Sequence, residues 1–350
     1  MKGWEGSMAE NRYLRWLSSG TASIYWHDSA IVEELDDAMA NGAVGMTTNP
    51  FLIAATLRTR RDFWRDVLPP MPDGLRGDAR AEEWIARVTG WLARNKMASL
   101  IGQGGYAGYV CAQTNPCMPG DTEGMISTAR HYASMAENIV IKFPATRGGL
   151  EAIEACAGEG LNVAATVSFT VPQVLEMASA YERGRKRAIA RGIRPGIGIA
   201  VLMVGRLDDY LRDVMNDTRA AATEADIRWA GTAAIKRAYQ IFKQEGYSCA
   251  LMPAGCRGGY HIRELAGADM VMSIAPGIAG ALAAEDKFEE RIAEPVDREI
   301  LDRLCGMPEF RRAYEPDGMS LDEFITFGSC NRTLDQFVLM GWNVLKDLEL

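Results

Sequence analysis

Apolar and polar positions follow two rhythms along this chain. Eight short runs, rich in aliphatic and β-branched residues and bounded by turn residues, read as strands: "SIYWHD" (23–28), "VGMTTN" (44–49), "GYVCAQTNP" (108–116), "NIVIKFPAT" (138–146), "NVAATVSF" (162–169), "IGIAVLMVGR" (197–206), "SCALMPAGC" (248–256) and "MVMSIAP" (270–276). Between them lie segments with the 3.6-residue spacing of amphipathic helices, such as "AIVEELDDAMANG", "DTEGMISTARHYASM", "GGLEAIEACAGEG" and "AGTAAIKRAYQIFKQEGY". Several close on the glycine expected just past a helix C-terminus. Eight strands alternating with helices predict an α/β chain folded as a (β/α)₈ TIM barrel, and the near-continuous apolarity of the runs suits parallel strands covered on their outer side. A doubly wound open sheet is the second architecture. No GxGxxG follows the first strand, and "GQGGYAG" precedes a strand instead of opening a helix, so no dinucleotide site is expected. The remaining length predicts an N-terminal helix ("NRYLRWLSSG"), an insertion with a helix at about 69–105, and a helical tail. Residues 1–350 are thus expected to form one domain, with the barrel at about 21–285 and the tail at about 286–350.

Composition then narrows the chemistry. With 48% apolar and 24% charged residues over 350 positions the chain has ample material for a core. A net charge of −8 and the lack of any Lys/Arg-rich run argue against a nucleic-acid partner and leave small molecules as the default. Seven scattered cysteines without a CxxC pair suggest neither a disulfide framework nor a zinc site, and fit a reducing cytoplasm. The opening "MKGWEGSMAENRYLRW" has no apolar signal core, and no stretch has the length of a membrane span, so no membrane partner is expected. His27, His131 and His261 are separated in sequence, so no metal site is expected; Ser168 and Ser273 lack a nucleophile-elbow context. Cys111 lies on an apolar strand, where an inert packing role is the ordinary one.

One residue breaks the pattern. In "NIVIKFPAT" side chains alternate, so Ile139, Ile141 and Phe143 face the helices while Val140 and Lys142 point into the barrel. A chain with eight lysines against thirty arginines has placed one of them inside a strand. It is either a structural cation neutralised by an inward carboxylate or a nucleophile. In the second reading desolvation disfavours the ammonium and leaves a neutral amine to attack a carbonyl. Its place near the C-terminal end of a strand is where barrel enzymes hold their chemistry.

The motifs around it resemble a known family. "GMTTNPFLIAATL" and "IVIKFPATRGGLEAIEACAGEGLNVAATVSFT" are similar to the TTNP and lysine segments of transaldolases. "SIYWHDS", "VGRLDDYL" and "GTAAIKRAYQIFKQEGYSCALMPAGCRGGYHIRELAGADMVMSIAP" match in the same order, so the resemblance covers roughly residues 12 to 285. It implies a class I aldolase on a (β/α)₈ barrel, with neither metal nor nucleotide cofactor, that moves a dihydroxyacetone unit between sugar phosphates or similar anionic sugars. A sister branch, the fructose-6-phosphate aldolases, cleaves without transfer. Carried over, Lys142 would form the imine and Asp28 would handle the proton of the departing hydroxyl; otherwise Asp28 would simply cap the helix of "SAIVEEL". Thr47 and Asn49 would bind substrate or orient the lysine, Thr166 would position the catalytic water, and Arg206 and Arg257 would hold the phosphate. Without the resemblance, Asn49-Pro50 marks a turn before a helix, Thr166 a satisfied core hydroxyl, and each arginine a solvated ion pair.

The departures point away from a standard transaldolase. Gln113 stands where transaldolases carry a water-activating glutamate and where the aldolase branch has glutamine. Ala164 replaces an asparagine, Val201 and Met203 replace a serine and an aromatic residue, and Gly255 replaces a serine. The donor pocket is therefore expected to be unusually apolar and to take a non-standard sugar. Transfer is the first reading, because the length and tail resemble the larger transaldolases. Cleavage without transfer is the second, and a catalytically degenerate sugar-phosphate-binding barrel the third. Whether the chain forms a homo-oligomer is left open.

Overall fold

The computed structural model describes residues 10–350. The expectation that the first nine residues lack a signal core lies outside the described residues. Eight strands alternate with helices: α1 (Arg12–Gly20), β1 (Ile24–His27), α2 (Val32–Ala40), β2 (Gly45–Met46), α3 (Pro50–Thr59), α4 (Arg61–Val67), α5 (Gly77–Leu92), β3 (Val110–Gln113), α6 (Thr122–Met135), β4 (Ile139–Pro144), α7 (Arg147–Gly158) and β5 (Asn162–Thr166). The series continues with α8 (Val171–Ala190), β6 (Gly198–Leu202), α9 (Val204–Thr218), α10 (Glu224–Ile227), α11 (Ala230–Glu245), β7 (Ala250–Pro253), α12 (Gly259–Leu265), β8 (Val271–Ile274) and α13 (Pro276–Leu282). Each strand falls within one of the eight apolar runs.

All strand pairs are parallel, and the order β8–β1–β2–β3–β4–β5–β6–β7 follows the chain around the ring, with β7 lying next to β8. A doubly wound sheet would reverse its order at a switch point; here β8 returns to pair with β1, which makes a nearly closed (β/α)₈ barrel. Among the described residues no helix is long and apolar enough to cross a membrane.

Trp26 on β1 is fully buried, and its indole N–H donates to the carbonyl of Tyr106 at 2.9 Å. Gly45 is needed there, because a Cβ would stand 2.3 Å from the Trp26 ring. The tail forms α14 (Arg298–Cys305), α15 (Pro308–Tyr314), α16 (Gly328–Phe337) and α17 (Asn343–Asp347). It returns to the insertion: the Arg80 guanidinium on α5 donates to the carbonyl of Leu348 at 2.7 and 3.0 Å, and the Trp342 indole donates to Asp78 at 2.8 Å. That clamp carries α16 across the C-terminal mouth of the barrel.

Candidate active site

Lys142 is 7% exposed, and its Nζ donates to the carbonyl of Thr48 at 3.1 Å. The parallel register sets Gln113 on one side of it and Ala164 on the other. Above it opens a cavity of about 180 Å³ whose walls include Asp28, Thr47, Asn49, Thr166, Arg206 and Arg257. Roomier surface clefts exist, such as one of about 440 Å³ between Asn115 and His131, but they lie away from the strand ends. Seven of the eight residues singled out in the sequence therefore meet in one place. Gln113 does not wall the cavity; it is buried beside the lysine, and its Oε1 has no partner among the described residues.

The hydroxyls form a directed chain. Thr47 Oγ1 donates to Asp28 Oδ1 at 2.6 Å and lies 2.9 Å from Ser273 Oγ. A hydroxyl has one proton, so Ser273 donates to Thr47 and Thr47 to Asp28. The Lys142 ammonium-bearing chain is held by the backbone carbonyl of Thr48, while the Thr47 side chain turns to Asp28. Ser273, which has no nucleophile-elbow context, enters as a hydrogen-bond donor. Asp28 does not cap α2, whose N-cap position is Ile31 without a side-chain bond. Asn49 does cap a helix: its Oδ1 accepts from Leu52 N–H at 3.0 Å, with Pro50 opening α3. That leaves the amide nitrogen for the cavity.

Thr166 ends β5 and is followed by Val167 at φ 52°, a left-handed conformation that costs a β-branched residue about 1–3 kcal/mol. The strained peptide is tied down on several sides. Gln173 Nε2 donates to the Val167 carbonyl at 3.3 Å, Cys330 Sγ on α16 approaches it at 3.6 Å, and Ala145 N–H donates to the Thr166 carbonyl at 2.7 Å.

The two arginines are not equivalent. Arg257 is half exposed, and its Nε and Nη2 both donate to Asp209 Oδ2, at 2.8 and 2.7 Å. Arg206 opens α9 and has no ion pair among the described residues; its guanidinium lies 5.7 Å from the centre of the Phe337 ring. Burial, and next the repulsion of Arg257, lower its pKa from 12.5 to about 10. A partly buried guanidinium without a carboxylate partner is chemically suited to pair with an anion. Behind it, fully buried Asp208 accepts from His261 Nε2–H at 2.9 Å and from Gly231 N–H at 2.8 Å, while His261 Nδ1 accepts the backbone N–H of Arg257 at 3.2 Å. That last bond leaves the imidazole proton on Nε2.

The opposite wall is apolar. Val201 and Met203 on the β6 side and Met252 and Ala254 on the β7 side face the cavity, as the lost family hydroxyls predicted. Sequence reasoning missed Phe51, Gln336 and Phe337, which also line it. The last two sit on α16, and nothing in their local pattern says where the tail will lie. Cys111 is fully buried, and burial pushes its thiol up to about 12, which agrees with an inert packing role.

Comparison with known proteins agrees with this geometry. The family model described as Transaldolase/Fructose-6-phosphate aldolase matches residues 25–318. A probable transaldolase of Anaeromyxobacter sp. (strain K) is 28% identical over 249 residues, 70% of this chain and 82% of that protein. Transaldolase 2 of Nostoc punctiforme is 30% identical over 311 residues (75% and 78%), and the transaldolase of Mycobacterium marinum 28% over 268 (71% and 70%). A strand-end lysine in a closed barrel, with an aspartate and a guanidinium over the same cavity, and a family match across most of the barrel lead to one conclusion: the chain belongs to the transaldolase/fructose-6-phosphate aldolase family.

Proposed function

We propose that this enzyme transfers a three-carbon, dihydroxyacetone-type ketone unit between anionic sugars through a Schiff base on Lys142. The amine adds to the donor carbonyl, a proton from solvent lets the carbinolamine hydroxyl leave as water, and the resulting iminium draws electrons from the neighbouring bond. Asp28 takes the proton of the hydroxyl on the far carbon as that bond breaks; an aldehyde departs and an enamine stays on the lysine. Addition of the enamine to an acceptor aldehyde, with Asp28 returning the proton, and hydrolysis of the imine complete the cycle. Thr47 and Ser273 hold Asp28 in place, Thr166 on the cavity wall positions the water, and Gln113, buried beside Lys142, supports it from behind that wall. Arg206, with Arg257 beside it, receives the phosphate or similar anionic group. The observation that carries this reading is the buried amine of Lys142 facing the same cavity as the Ser273–Thr47–Asp28 chain.

A second reading, cleavage without transfer, is favoured by Gln113. Its amide can hold a water but cannot ionise, so proton transfer runs through one carboxylate. The test of the main reading is reductive trapping: a phosphorylated ketose donor with borohydride should leave a three-carbon adduct on Lys142, located by peptide mapping. An adduct on another lysine, or none with any ketose, would overturn it.

A further inference from the structure

The amine of Lys142 has one hydrogen-bond partner among the described residues, the backbone carbonyl of Thr48. What fixes that carbonyl is the side chain of the same threonine. β2 is only two residues long, and its ladder toward β3 includes Met46 N–H donating to the Tyr109 carbonyl at 3.0 Å. In a parallel ladder every second residue of a strand donates to the same neighbour, so the next bond of the series would run from Thr48 N–H to the Cys111 carbonyl. The Thr48 hydroxyl takes that acceptor instead, at 2.6 Å. The side chain thus stands in for the backbone where the chain leaves the strand for the Asn49 cap, and the Thr48 carbonyl is turned to the lysine. Thr48 is fully buried and, unlike Thr47 and Asn49 on either side of it, does not line the cavity. The same stretch of chain fixes the other end of the lysine: Thr114, just past β3, donates to the Lys142 carbonyl from its N–H at 3.1 Å and from its hydroxyl at 3.3 Å.

We propose that Thr48 is a positioning residue for the nucleophile: its hydroxyl pins the peptide to Cys111, and its carbonyl aims the amine. The inference rests on the Schiff-base reading of Lys142. An amine that donates one N–H to a fixed acceptor keeps its lone pair off that acceptor, free for a ketone carbonyl in the cavity that Lys142 lines. Carbinolamine formation moves one amine proton to the ketone oxygen, a solvent proton lets that oxygen leave as water, and the iminium nitrogen keeps one N–H. The Thr48 carbonyl is the acceptor already in its reach, and the same oxygen faces the positive charge that draws electrons from the breaking bond. Both gains are made as the reaction proceeds and not as the ketone binds, so they act on rate and leave affinity alone.

The test follows labelling of Lys142 in the full-length protein by dihydroxyacetone as the probe ketone, with cyanoborohydride in excess so that each iminium is reduced as it forms, read by intact mass and peptide mapping. Thr48→Val keeps the shape of the side chain and removes the hydroxyl. Its maximal labelling rate is expected to fall about tenfold, the effect of one lost hydrogen bond to a buried group, while the half-saturating ketone concentration stays within about twofold of the wild type. Thr48→Ser, which keeps the hydroxyl, should label within about threefold of the wild-type rate, and Thr48→Ala, which differs from it only by that hydroxyl, should fall with the valine variant. The serine and alanine pair carries the comparison if the valine variant does not fold, and thermal unfolding checks each protein. Equal maximal rates in that pair, or a change confined to the half-saturating concentration, overturn this inference while leaving the Schiff base intact. If wild-type Lys142 is not labelled, the Schiff-base reading falls and takes the inference with it.

Discussion

Replacing Arg206 with Met separates the requirements of folding from those of binding. The wild-type guanidinium is partly buried, has no carboxylate partner among the described residues and is repelled by Arg257, so its pKa falls from 12.5 to about 10. At about 1.4 kcal/mol per pH unit that is a penalty of about 3 kcal/mol for holding the charge, reduced to about 2 because the side chain faces the open cavity. The sign follows from the lowered cation: the penalty is full below pH 10, where Arg206 is charged in both states, and is relieved between about 10 and 12.5. Arg206→Met keeps the side chain's reach over Phe337 but removes the charge. The unliganded variant should melt a few degrees higher than the wild type at pH 7. Loss of a charge-assisted contact of about 1.5–3 kcal/mol should at the same time raise KM for a phosphorylated ketose roughly 10- to 150-fold and leave KM for the neutral ketose nearly unchanged. Arg257→Ala should have the smaller effect, because Asp209 already shares that charge. Thermal unfolding without ligand and initial rates with the paired donors decide the matter. A lower melting temperature, or equal changes in KM for both donors, would refute the reasoning.

Three further outcomes follow from the same structure. Burial holds His27 neutral down to about pH 4, with both ring nitrogens unpartnered among the described residues; the unfolded chain takes up its proton near 6.5, so about 3 kcal/mol of stability should drain away as pH falls from 6.5 to 4. His27→Leu should flatten that slope in melts at pH 7, 6 and 5, and parallel slopes would count against it. His261→Gln should raise KM for anionic donors about tenfold while kcat stays within about twofold, since His261 links buried Asp208 to the backbone of Arg257 and does not line the cavity; a fall in kcat alone would contradict this. Gln113→Glu should shift the products from free ketone toward transfer, measured as both products at several pH values with the fold verified, and an unaltered ratio would make Gln113 a plain packing residue.

The barrel was legible in the sequence because each βα unit is local: a β-branched run with an amphipathic helix behind it predicts its own strand, and eight such units leave few ways to bury their faces. Lys142 was legible for a related reason. Alternation along a strand has a period of two, so a charge between Ile141 and Phe143 must point away from the helices. Asp28, Thr47, Asn49, Thr166, Arg206 and Arg257 were singled out because their motifs resemble those of transaldolases; they meet because those motifs sit at strand ends, which a parallel barrel gathers at one mouth.

What the tertiary structure alone decided is how those groups are divided among partners. Arg206 and Arg257 look alike in sequence, yet Asp209, on the same helix as Arg206, pairs with Arg257 and leaves Arg206 without a counter-ion among the described residues. Ser273 joins Thr47 although 226 positions separate them, since β8 closes onto β1. The cap over the site, Gln336 and Phe337, depends on where the tail is anchored: α16 bonds to Val167, just after β5, and to Arg206 on α9, and the end of the tail bonds to α5, all far away in sequence. Local pattern specifies which face of an element is buried; only the packing of distant elements specifies which charge is left unpaired.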